Sequence, residues 1–203
     1  MKSSIHVVHP LMFKANGNKA HIGPVDEFEE RDRRIQQLIT GALDKGISTF
    51  YYRSNPEESI QGLMEDTILF ADPLYSWIVD ERLIPLVITD RGIPLPDERP
   101  ERVPIDSWVR LSSIYTRAVD YKKAVGGFDN AFFIGGMLEA CLANAMVYYD
   151  LRCRQSHENM YCIEDLSVFV EEENARVMKR DILKGGIVKF VKSGEVESLL
   201  EAA

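Results

Sequence analysis

Short apolar runs alternate along this chain with segments whose apolar residues recur every three to four positions, and the alternation predicts a fold. SIHVVHPLMF reads as a buried strand that breaks at Pro10. After a polar loop rich in Gly and Asn, a helix is predicted from about Asp26 to Lys45. Asp26 caps it, Glu29 and Glu30 suit its first turn, Ile35, Leu38, Ile39, Ala42 and Leu43 form its apolar stripe, and Gly46 ends it. ISTFYYR is β-branched and aromatic enough for a second strand. A helical segment from Pro56 to Ala71 leads to a third strand, LIPLVITD. The proline-rich GIPLPDERPERVP is an extended loop, SWVRLSSIY a fourth strand and TRAVDYKKAV a short helix. NAFFIGG reads as a buried strand, EACLANAMVYYDL as a helix and NMYCIED as another strand. Glu171 to Leu183 is helical, Gly185 and Gly186 end that helix, and IVKFVK is a final strand or the start of an end segment.

Strands separated by helices of ten or more residues pair in parallel, with helices on both faces. The expected fold class is α/β: a three-layer, doubly wound, mostly parallel sheet. The chain has 203 residues and no repeat, low-complexity segment or linker, so residues 1–203 are expected to form a single domain.

Composition then narrows the function classes. No stretch approaches the roughly 20 apolar residues of a membrane-spanning helix. MKSSIHVVHPLMF lacks the apolar length and cleavage site of a signal peptide, so no membrane association is expected. Cys141, Cys153 and Cys162 are odd in number and outside paired CxxC spacing, which argues against a disulfide framework or zinc cage and for a reducing cytoplasm. A net charge of −8, from 32 acidic and 24 basic residues, opposes a general nucleic-acid binder. Arg31, Arg33 and Arg34 stand among acidic residues and read as a solvated helix face. His6, His21 and His157 have no ligand spacing, and the glycine pairs match no phosphate loop, so neither a metal nor a cofactor is expected. Tyr51, Tyr52, Tyr148 and Tyr149 read as core or interface residues.

In doubly wound sheets, ligands sit at the carboxyl ends of the strands. The residues predicted there are His9, Arg53, Asp90, Gly135 with Gly136, and Asp165. The stretch FFIGGMLEACL adds a candidate nucleophile, Cys141, just after such a strand end. A cysteine at a helix start has its thiolate stabilised by unpaired backbone N–H groups, and the same amides can hold an oxyanion. A competing reading places Cys141 in the core, since Leu138, Cys141, Leu142 and Ala145 share one apolar stripe. Asp90 and Asp165 carry structural alternatives of the same kind, a turn and a helix cap.

The segment from Gly135 to Cys141 resembles the nucleophile segment of the isochorismatase-like cysteine hydrolases, which include nicotinamidases. In that family a strand ends at a Gly and a Cys follows six positions later on the first turn of a helix. An acidic residue commonly lies two before the Cys and an aliphatic residue after it. Here these are Gly135, Glu139, Cys141 and Leu142. The element order is similar over most of the chain. The resemblance implies a cysteine nucleophile acting on a small amide or related carbonyl compound. Cys141 would attack, with His9 or Asp90 as proton acceptor, and the amides after Gly136 would hold the oxyanion. Arg110 would bind an anionic part of a small-molecule substrate, and Glu139 and Asp165 would line the site.

Three positions depart from the family pattern. His9 stands in the place of the catalytic aspartate, Arg110 falls near that of the lysine, and Leu138 replaces the usual Thr or Ser three before the cysteine. Arginine can hold an anion but cannot shuttle a proton, whereas histidine can accept one near neutral pH. These departures motivate a second hypothesis, a non-catalytic binding or assembly protein whose Tyr- and Met-bearing helix after Cys141 forms a homo-oligomer interface. A nucleotide- or phosphate-binding enzyme using Asp90 and Asp165 is a third, for which no phosphate loop is present.

Overall fold

The computed structural model describes residues 2–10, 25–54, 73–88, 122, 125–136, 138–155, 157–168, 172–186 and 188–201. Six strands form one sheet: β1 (Ser3–Val8), β2 (Ser48–Ser54), β3 (Ile84–Ile88), β4 (Asn130–Gly136), β5 (Asn159–Val168) and β6 (Lys189–Val191). Their spatial order is β3-β2-β1-β4-β5-β6 and every neighbouring pair is parallel. The α/β doubly wound expectation holds. The order reverses between β1 and β4, so the crevice between their carboxyl ends is the switch point.

Four α-helices are described: α1 (Val25–Asp44), α2 (Ala143–Arg152), α3 (Glu172–Lys184) and α4 (Ser193–Glu201). A 3₁₀ turn at Pro73–Val79 precedes β3. Side chains alternate across the sheet with period two and so build two cores. Val8, Phe50, Tyr52, Phe133 and Cys162 pack on one face with Leu142, Met146 and Tyr149 of the α2 region. Ile5, Val7, Tyr51, Phe132, Ile134 and Ile163 pack on the other with Ile35 and Ile39 of α1, Trp77 of the 3₁₀ turn and Val196 of α4. Burying each of these large side chains contributes about 2 kcal/mol.

The α1 stripe is as expected, and its end is a Schellman turn: Ile47 N–H donates to Ala42 and Gly46 N–H to Leu43, with Gly46 at φ 72°. The solvated reading of Arg31 fails, because Arg31 turns inward and is 7% exposed, whereas Arg33 and Arg34 are exposed and pair with Glu29 and Glu30. IVKFVK is a strand of three residues followed by α4, whose start is marked by Glu195 accepting from the Lys192 N–H. The segments Pro56–Ala71, GIPLPDERPERVP and SWVRLSSIY lie outside the described residues. Among the described residues, no helix is long and apolar enough to cross a membrane.

Candidate active site at the strand switch point

Strand β4 is fully buried along its length and ends at the glycine pair. In the β1–β4 register Val8 lies opposite Gly135, so the two central strands finish side by side. Gly135 has φ 114°, and a β-carbon built there would lie 1.9 Å from the Val8 carbonyl oxygen. Only glycine fits this position. The chain then enters a π-helical turn, Leu138–Leu142, before α2 proper begins at Ala143. Cys141 therefore sits in a widened turn and not in the first turn of a regular α-helix. Such turns are frequent at functional sites. Cys141 is half-buried and packs against the α2-side core, while Leu138 and Leu142 are buried within it.

On the neighbouring strand, His9 immediately follows β1. It is 3% exposed and has φ 43°, and no other non-glycine residue among those described has a positive φ. The left-handed region costs an L-residue on the order of 1 kcal/mol. The His9 N–H donates to Tyr52 O at 3.1 Å, which holds the turn to β2. Pro10 O accepts from Arg31 Nη2 at 3.0 Å.

Asp165 lies in a stretch of β5 that bulges between two regions of pairing, Phe133 with Cys162 and Gly135 with Ser167. Its carboxylate accepts from the Ser193 N–H at 2.7 Å and the Ser193 hydroxyl at 2.6 Å. Partial burial raises its pKa, but donation from Ser193 outweighs this and holds the carboxyl below its usual range. Asp165 thus anchors the start of α4. Glu139 lies on the π turn and Gly136 is buried at the end of β4. Asp90 and Arg110 lie outside the described residues.

The remaining thiols and histidines have different surroundings. Cys153 and Cys162 are buried, and burial pushes the Cys162 thiol up to about 12, with donation between it and Ser167 acting in the opposite direction. His6 stacks between Phe133 and Phe50, with ring centroids 4.4 and 4.9 Å away. Its two ring nitrogens meet Ser4 Oγ at 3.0 Å and Tyr52 Oη at 2.9 Å, and burial lowers its pKa to about 3. His6 is a neutral core residue. At the opposite, amino-terminal pole, a cleft of about 620 Å³ is lined by Lys2, Lys45, Gly126, Gly127, Phe128 and Leu200.

A half-buried cysteine on the turn after one central strand and a histidine at the end of its neighbour is the arrangement to compare with known structures. No family model and no curated protein matches the sequence. Solved structures do match in three dimensions. MAR1 ribonuclease from Caenorhabditis elegans is 15% identical over 96% of this chain and 79% of that one, with a TM-score of 0.59. An isochorismatase family protein from Desulfovibrio vulgaris is 12% identical over 98% of both chains, with a TM-score of 0.57. The fold is isochorismatase-like. N-carbamoylsarcosine amidase from Thermoplasma acidophilum, 14% identical over 95% of this chain and 97% of that one with a TM-score of 0.51, shares it. At these identities the likeness is one of fold. Within the isochorismatase-like frame, the sequence reading missed Asp32 and Tyr75, which fix Arg31 beside Pro10. Both stand far from Pro10 in sequence, and no local spacing marks them.

Proposed function

We propose that this protein is an isochorismatase-like hydrolase that uses Cys141 to cleave a small amide or related carbonyl compound. The observation that carries the reading is the half-buried Cys141 on a π turn directly after β4, next to the strand end that bears His9. In this scheme His9 takes the thiol proton, and the thiolate attacks the carbonyl carbon. The carbonyl π pair moves to oxygen, where backbone amides of the turn after Gly136 hold the negative charge. Collapse of the intermediate breaks the C–N bond, and the His9 imidazolium protonates the departing amine. Water, deprotonated by His9, then hydrolyses the thioester to the carboxylic acid and restores the thiol. Arg110 is the proposed anchor for an anionic part of the substrate, and Asp90 the alternative proton acceptor.

MAR1 is named a ribonuclease, but the net charge of −8 supports a small-molecule substrate over RNA here. A second reading, a non-catalytic assembly protein, is favoured by Leu138 lying in the core and by the exposed Val147 and Leu151 one turn apart on α2. That face is where we expect self-association. The two readings separate in one assay. Release of ammonia or amine from a panel of primary and N-substituted small amides should occur with the wild-type protein and fall at least 10³-fold (about 4 kcal/mol) in Cys141→Ala. Absence of turnover across the panel, or turnover indifferent to Cys141→Ala, would support the second reading.

A further inference from the structure

A buried ion pair stands beside the His9–Pro10 turn. Arg31 and Asp32 are neighbours on α1, and each is 7% exposed. Arg31 Nε and Nη2 donate to Asp32 Oδ1 at 2.8 and 2.5 Å, and Tyr75, from the 3₁₀ turn, donates its hydroxyl to Asp32 Oδ2 at 2.5 Å. The same Arg31 Nη2 reaches Pro10 O at 3.0 Å. The chain of contacts therefore runs Tyr75, Asp32, Arg31, Pro10, and it ends on the one turn among the described residues where a non-glycine residue is left-handed.

Desolvating a charged pair costs several kcal/mol, and apolar residues of similar volume often replace such pairs without loss of stability. Global stability is therefore a poor reason for this pair to be here. What apolar residues cannot supply is a charged, geometrically fixed donor for a backbone carbonyl. A left-handed histidine persists only where its surroundings over-determine it. At His9 two contacts do so: Tyr52 O accepts from its own N–H, and Arg31 holds the following carbonyl. The β2 contact is ordinary sheet extension. The Arg31 contact is a dedicated device: Asp32 holds Arg31 and Tyr75 holds Asp32, and both stand on elements that pack on the opposite face from α2.

We propose that Arg31, Asp32 and Tyr75 are positioning residues for the active site: together they clamp the His9–Pro10 turn and keep His9 in the conformation that serves Cys141. This rests on the reading of Cys141 and His9 given above. The contact that joins the cluster to the turn is with the Pro10 carbonyl, and in this scheme its effect passes through the backbone of residues 9 and 10.

The test is the pH dependence of Cys141 alkylation by iodoacetamide, read by peptide mass spectrometry, in the full-length protein. His9→Gln is the reference. It should raise the apparent pKa of Cys141 toward the free value of about 8.5. Arg31→Lys keeps a charge but cannot reach Asp32 and Pro10 with a planar fork, and it should reproduce at least half of the His9→Gln shift. Tyr75→Phe removes one hydroxyl, is the variant most certain to fold, and should shift the profile in the same direction by a smaller amount. Glu158→Gln, at the opposite pole, controls for lost stability and should leave the profile unchanged. Wild-type profiles in both Arg31→Lys and Tyr75→Phe, with a shifted profile in His9→Gln, would overturn the clamp and leave the Cys141–His9 reading standing. An unshifted His9→Gln would overturn both.

Discussion

The two poles of the sheet are built differently. At the amino-terminal pole, polar groups satisfy one another, and the left-handed positions there are glycines. Asp129 accepts from the Lys2 N–H, Asn159 donates to Asn130, and the buried Glu158 accepts from Tyr149 Oη, Phe128 N–H and Gln155 N–H. At the carboxyl-terminal pole the backbone carries the exceptions: His9 left-handed, Gly135 pressed against Val8, and a π turn in place of regular α-helix. Both poles are held by networks of comparable quality. Among the described residues, the left-handed non-glycine residue lies at the pole where the strand order reverses and where ligands bind in sheets of this kind.

Mutation should expose that asymmetry. Gly135→Ala forces a β-carbon onto the Val8 carbonyl and should cost about 4 kcal/mol or more in urea unfolding, or abolish soluble protein. Glu158→Ala at the other pole strands three donors. It should cost about 3 kcal/mol without altering Cys141 alkylation, and a change in alkylation would mean that the poles are not independent. His6, on the strand between them, gives an acid signature. Its unfolded-state pKa is near 6.5 and its folded one about 3, so between those values the unfolded chain binds the extra proton. Its contribution is present in full above 6.5 and is lost as pH falls toward 3. From pH 7 to pH 5 the wild type should lose about 2 kcal/mol more than His6→Gln, and equal losses would show that His6 does not titrate between the two states as described. The smallest effect tests the strain itself. His9→Val should be less stable than His9→Asn by about 1 kcal/mol, because a β-branched residue tolerates φ near 43° least and Asn tolerates it well.

Much of this architecture was legible in the sequence. NAFFIGG announces β4 to the residue because an unbroken apolar run ending in two glycines has few other uses. The α1 stripe is legible because 3.6-residue spacing holds from Ile35 to Leu43, about two and a half turns. What was hidden is non-local. Asp165 reads as a strand-end carboxylate, but its partner, Ser193, lies 28 residues later on a short helix that only Glu195 signals. The inward turn of Arg31 depends on Tyr75 and Pro10, so charge patterning along α1 cannot reveal it. The same holds for the π turn, since no helix-breaking residue stands between Leu138 and Leu142. β5 likewise runs on past Asp165 to Val168 because pairing with Gly135 and Gly136 resumes after the bulge.

The central claim is that the strained pole activates a thiol, and the apparent pKa of Cys141 in the unaltered protein tests it most directly. Iodoacetamide labelling across pH 5 to 10 should give a value clearly below the free-thiol figure of about 8.5. A value at or above that figure would contradict the account and leave Cys141 as a core residue on the π turn of an isochorismatase-like fold.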